Sequence, residues 1–210
     1  MHFALAILVT TLAGFVDAIG YAALGKLYLS FMSGNTTRLG MAIAEGETSV
    51  VLLAASIIAS FVAGAGVGTL VADATGEGRL SAILGSEAVL IALALALTVA
   101  APGPHALLPI AAAMGMQNSA HQVVLKADIG KSFVTGTLVS FAGALARAIR
   151  DRKPTGEAST YGAAWLAFVT GVLTGALWLH HNGMVTALAT ALALIAALAL
   201  AVHPRIVKLP

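Results

Sequence analysis

The chain has 210 residues, 59% of them hydrophobic and only 10% charged, against about 25% charged residues in a soluble domain. So few charges cannot cover a water-facing surface, which excludes an ordinary soluble enzyme, and the apolar excess excludes disorder. Cysteine is absent and the net charge is only +2. There is no disulfide framework or thiol chemistry, and no cofactor or nucleic-acid partner is expected. The class is a polytopic all-α membrane protein whose first partner is the lipid bilayer.

A helix crosses the hydrocarbon core with roughly 20 apolar residues. The first such run covers residues 3–24. No basic segment precedes it and further apolar runs follow, so it reads as a retained helix and not a cleaved leader. Clear spans follow at 49–72, 80–101 and 105–124. The charged, Gly-rich stretch 73–79 and the turn Pro102-Gly103-Pro104 separate them. Two more spans lie at 159–179 and 183–202, parted by His180-His181-Asn182-Gly183.

Residues 28–45 and 132–149 are only moderately apolar. As full spans they give eight crossings; as short or re-entrant motif helices they give six. With six crossings, nine of the 11 Lys and Arg fall on one side, leaving Lys26 and Arg38 on the other. Eight crossings divide them almost evenly. The positive-inside rule therefore favours six crossings with both termini cytoplasmic.

Phe61-Val62-x-Gly64-x-x-x-Gly68 recurs 107 residues later as Phe168-Val169-x-Gly171-x-x-x-Gly175. Ser30-Phe31-Met32-Ser33-Gly34 parallels Ser132-Phe133-Val134-Thr135-Gly136, 102 residues on. The order of helix, polar motif, glycine helix and helix thus occurs twice, dividing the chain into repeats 1–101 and 102–210. Three crossings per repeat give the halves opposite orientation, a 3+3 inverted repeat of the secondary-transporter kind. Gly64, Gly68, Gly171 and Gly175 form small-xxx-small pairs that let helices approach closely, within the chain or across a homodimer.

Candidate site residues are the polar groups inside apolar segments. Asp17 lies deep in the first helix, where a carboxylate is protonated, paired or hydrated; it is a candidate proton site or a structural hydrogen-bonding group. Ser33, Asn35, Thr36 and Arg38 cluster around the hinge glycine Gly34, suited to bind an anion, to pair with Asp17, or merely to cap a helix. Gln117, Asn118 and His121 share one helix face. Thr135, Gly136 and Thr137 form the second copy of the polar turn. In this alignment Ser119 matches Asp17, and the two clusters are expected to approach near the midplane. Glu87, two turns into its helix, is read as snorkelling or paired. No metal site or catalytic constellation is expected.

Gly14-Phe-Val-Asp-Ala-Ile-Gly-Tyr21 and Ser30-Phe-Met-Ser-Gly-Asn-Thr-Thr-Arg-Leu-Gly40, with Ala113-Met-Gly-Met-Gln-Asn118 and Phe133-Val-Thr-Gly-Thr-Leu138, resemble the signatures of the YoaK-like family of bacterial multi-spanning membrane proteins. The resemblance implies a bacterial cytoplasmic (inner) membrane location and no settled substrate. Its organisation is similar to half of a major-facilitator transporter. The expected function is a small secondary transporter of a solute or ion, with Asp17 as its candidate proton-coupling site and a channel or a scaffold/sensor as alternatives.

Overall fold

The computed structural model describes residues 2–119, 122–124, 127–129, 134–151 and 156–203. Among these the chain forms α1 (His2–Ala23), α2 (Met32–Glu45), α3 (Thr48–Thr75), α4 (Arg79–Ala100), α5 (Leu108–Ser119), α6 (Val134–Asp151) and α7 (Gly156–Ala201). Between α5 and α6, β1 (Gln122–Val124) pairs antiparallel with β2 (Ala127–Ile129), Val123 opposite Asp128. The helix expected over 105–124 is therefore shorter. A 3-10 turn, Pro104–Leu107, leads into α5, which ends at Ser119. Pro104 and Pro109 sit where a missing N–H leaves no helical bond unmade, and the β-branched pair Val123-Val124 suits a strand.

Helices α1, α3, α4 and α7 are long and apolar enough to cross a membrane. A straight helix satisfies all its backbone groups internally, as a hydrocarbon environment demands. With 46 residues, α7 would be about 69 Å long if straight, more than twice the roughly 30 Å hydrocarbon core. It is not straight. Gly183 has φ 78° and ψ 173°, and the Trp178 indole Nε1–H donates to Thr190 Oγ1 at 3.0 Å. Twelve residues of continuous helix would hold those two about 18 Å apart. The chain therefore reverses at Gly183, and α7 is a hairpin of two arms, 156–182 and 184–201. The loop expected at His180–Gly183 shrinks to Gly183 alone, because the first arm continues through Asn182.

Two helix pairs pack at backbone contact. On α3 and α5, a Cβ added at Gly64 would overlap the Ala112 carbonyl, and one at Gly115 the Phe61 carbonyl. A Cβ at Gly68 would lie 2.7 Å from the Met116 Cα. On α1 and α7, Gly171 meets the Thr11 carbonyl in the same way, Gly14 the Phe168 carbonyl, and Gly175 the Phe15 carbonyl at 2.5 Å. From Gly64–Ala112 to Gly68–Met116, and from Thr11–Gly171 to Phe15–Gly175, the contact moves four residues forward on both helices, so each pair is parallel. Ser81 Oγ donates to the Ala199 carbonyl at 3.3 Å, tying the start of α4 to the end of α7.

The main core gathers Phe15, Val16 and Ile19 of α1 with Ile57 of α3, Ile91 of α4, Met114 of α5 and Leu188 of α7. Ile83 of α4 and Met116 of α5 form a separate cluster with Val71 of α3. Leu5 and Val9 meet Leu84 and Ala199 in another. The two motif helices are peripheral: α2 packs on α3 and α6 on α7. Among its described residues α2 buries only Asn35 and Ala42, and α6 only Thr137 and Ala144. At 14 residues, α2 is about 21 Å long, too short for the hydrocarbon core.

Candidate functional site

Helix α1 stops at Ala23, and Gly25 and Lys26, at φ 62° and 69°, turn the chain back along the helix it has just left. Leu27 and Leu29 are buried in the main core, and a Cβ at Gly20 would strike the Leu29 side chain. This returning segment is not helical, so its backbone groups need outside partners. Asp17 supplies one acceptor for two of them: its Oδ1 accepts the N–H of Leu29 at 2.8 Å and of Ser30 at 3.0 Å. Asn35 serves the next residue back. Its Oδ1 accepts the Tyr28 N–H at 2.9 Å, and its Nδ2 donates to the Tyr28 carbonyl at 2.7 Å. Asp17 and Asn35 are both buried. The expected polar turn Ser33-Gly34-Asn35 is therefore the first turn of α2, and the re-entrant bend lies before it.

Three rings pack around this bend. Tyr28 lies 4.9 Å from Tyr21 and 5.2 Å, edge-on, from Phe31, centroid to centroid. Gly34 leaves room for them, since a Cβ there would sit 2.5 Å from the Phe31 ring. Burial first, then the neighbouring Tyr21 and Asp17, hold the Tyr28 phenol above its ordinary value.

The remaining candidates of the first half point elsewhere. Ser33 and Thr36 are exposed, and the Thr36 hydroxyl donates to the Met32 carbonyl of its own helix. Arg38 does not pair with Asp17. Its guanidinium bonds Glu45 at 3.1 Å and also Glu47 at the far end of α2. The helix carries Arg38 away from the bend, and two carboxylates lie within reach there.

In the second half, Gln117 Nε2 donates to Glu87 Oε2 at 3.1 Å, and both side chains are buried. Glu87, read as snorkelling or paired, is paired. The signal was a carboxylate two turns inside an apolar helix, but nothing in the sequence places Gln117 against it. Asn118 Nδ2 donates to the Met114 carbonyl, and Ser119 Oγ to the Ala65 carbonyl of α3 at 3.0 Å. Thr135, Gly136 and Thr137 lie in the first turn of α6, Thr135 exposed and Thr137 buried. His121, Ser132 and Phe133 lie outside the described residues. The expected meeting of the two clusters involves His121, which lies outside the described residues. Asp17 sits between Val16 and Ile19 of the main core, whereas Gln117 follows Met116 in the separate cluster. Among the described residues no three His, Cys, Asp or Glu side chains converge.

The geometry thus holds two buried polar devices, a carboxylate that tethers a re-entrant backbone and a carboxylate–amide pair between two helices. The chain is 30% identical over 180 residues to the UPF0700 transmembrane protein RA0705 of Rhizobium meliloti (strain 1021), covering 86% of this chain and 77% of that one. It is 29% identical over 140 residues to the UPF0700 transmembrane protein YoaK of Bacillus subtilis (strain 168), covering 61% of this chain and 60% of the relative. No solved structure matches it. Apolar helices of spanning length and relatives named as transmembrane proteins make this a multi-pass membrane protein. The family described as "Protein of unknown function (DUF1275)" matches residues 5–201, nearly the whole length, and the chain belongs to it.

Proposed function

We propose that the protein is a small secondary transporter of a solute or ion, built as an inverted repeat of six crossings. The duplicated glycine contact carries this reading. Gly64 on Ala112 corresponds to Gly171 on Thr11, Gly68 on Met116 to Gly175 on Phe15, and Gly115 on Phe61 to Gly14 on Phe168. Residue numbers differ by 107 along α3 and α7 and by 101 along α5 and α1. Each repeat thus sends its first helix onto the glycine helix of the other. These equivalent contacts favour a repeat over chance likeness in an Ala- and Gly-rich chain. The offset of 101 pairs Asp17 with Asn118, where the motif alignment pairs it with Ser119.

In this reading the crossings are α1, α3, α4, α5 with its leading turn, and the two arms of α7. Helix α2 stays at the end where α1 finishes and α3 starts, and α6 at the end where α5 finishes and α7 starts. Inverted repeats with interrupted helices are an architecture of transporters, in which one repeat rocks against the other. The bend tethered by Asp17 and Asn35 is the interruption in the first repeat. A six-crossing unit corresponds to half of a major-facilitator transporter, so a homodimer completes the pathway.

The test is flux. Purified protein in liposomes should give saturable uptake of a solute from a metabolite and ion panel, driven by a pH gradient. A conductance that does not saturate makes the protein a channel, and no flux for any solute makes it a scaffold.

A further inference from the structure

Helix α6 is the most amphipathic helix of the chain. Its buried residues Thr137 and Ala144 lie on one face, two turns apart, and pack it on α7. Exposed Leu138, Leu145 and Ile149 form a second stripe, roughly 100° round the helix from the first. Arg147 and Arg150 lie about 150° further on. The arginines therefore share neither the packed face nor the apolar stripe.

Helix α6 runs antiparallel to the first arm of α7. A Cβ at Gly162 would lie 3.2 Å from the Phe141 ring, and Arg147 Nη2 lies 3.5 Å from Glu157 Oε2. Six residues forward on α6 are thus five residues back on α7. The arginine end of α6 stands level with the start of α7, where a helix that crosses the bilayer meets the lipid headgroups. Residues 147–153 hold Arg147, Arg150, Arg152 and Lys153 against Asp151, the pair Arg152 and Lys153 outside the described residues. In the repeat the α2–α3 hairpin takes the corresponding place, and there Arg38 faces both Glu45 and Glu47. Two hairpins of the same order carry opposite charge, so the hairpin itself does not require the basic cluster.

We propose that the arginine end of the α6–α7 hairpin binds the headgroups of anionic phospholipids, with the apolar stripe of α6 among their acyl chains. Four basic residues beside a spanning helix match a surface that carries negative lipid. The arginine side chains are 52% and 74% exposed, and their partners Glu157 and Asp151 are partly exposed too. Such pairs are worth under about 1 kcal/mol. Each guanidinium has five N–H donors, so a lipid phosphate can join or replace the carboxylate. A free anion gains less here, because nothing encloses it and the neighbouring stripe is apolar. The site requires that α7 crosses the membrane; it does not depend on transport.

The test places a fluorophore on Ile149→Cys, in a chain with no native cysteine, and reconstitutes the protein in phosphatidylcholine–phosphatidylglycerol liposomes. Nitroxide-labelled phosphatidylglycerol should quench it more than nitroxide-labelled phosphatidylcholine at the same mole fraction. The preference should fall as salt rises. Each arginine should raise it by up to about fivefold, so Arg147→Gln and Arg150→Gln should each reduce it and the double variant should nearly remove it. Lys26→Gln, on the loop after α1, should leave it unchanged. Equal quenching by the two lipids overturns the proposal. So does an equal loss in Lys26→Gln, which would assign the preference to net charge, or its abolition by millimolar inorganic phosphate, which would make the site one for free anions. Should the double variant fail to fold, Arg150→Gln decides, since that side chain is the more exposed. The quenching is read without any solute, so a protein that moves nothing would lose the transporter reading and keep the lipid site.

Discussion

Asp17 is the residue whose chemistry the tertiary structure changes most. On a lone apolar helix it reads as a proton carrier, but here one of its oxygens holds two backbone N–H groups of a non-helical segment. A buried donor left without an acceptor costs about 1–3 kcal/mol. Asp17→Ala should therefore lower stability by on the order of 1–3 kcal/mol, seen as a lower unfolding temperature in detergent. Asp17→Asn keeps an acceptor oxygen and should lose less. Arg38 is partly exposed and paired with Glu45 and Glu47, an arrangement worth under about 1 kcal/mol. A double-mutant cycle on Asp17 and Arg38 should be additive, because they share no partner; a coupling above about 0.5 kcal/mol would mean that they meet.

At the scale of elements, the close helix pairs depend on the absence of side chains. In lipid there is little hydrophobic drive between helices, so contact area at short range carries association. Gly64→Val and Gly171→Val should each destabilise by about 1–3 kcal/mol through overpacking, and to a similar extent, since each would meet the backbone of a facing helix. Gly66 lies in α3 beside Gly64, with open space where its Cβ would be. Gly66→Val should leave the unfolding temperature nearly unchanged. Equal losses at Gly64 and Gly66 would show that the chain tolerates no bulk anywhere on α3, and would remove the significance of the paired contacts.

At the scale of the whole molecule, crossing number and sidedness are linked. With six crossings, the Pro102-Gly103-Pro104 turn and the end of α6 face opposite sides of the membrane. By the positive-inside rule, the basic residues Arg147 and Arg150 near that end are expected on the cytoplasmic side. The native chain has no cysteine, so Gly103→Cys should label with an impermeant thiol reagent from outside intact cells and Asp151→Cys only after lysis. Eight crossings would put the two residues on sides that the six-crossing arrangement forbids.

Composition determined that this is a membrane protein, and unbroken apolar runs of spanning length that its crossings are helices, since each such run can satisfy its own backbone only as a helix. Local pattern located α1, α3 and α4 to within a few residues, since apolar runs of spanning length are bounded by Gly, Pro and charge. It also singled out Gly64, Gly68, Gly171 and Gly175, because small residues at a spacing of four stand out against Leu and Ala. Partners were not legible, since they depend on which distant segments meet. Only the fold put Leu29 and Ser30 against Asp17, Gln117 against Glu87, and Arg38 beside Glu45 and Glu47. The reversal at Gly183 was read as a loop, because a single residue with positive φ breaks a helix as completely as a longer turn does. A polar residue in an apolar helix announces that a partner exists; which backbone or side chain answers it is set by the register in which the helices pack.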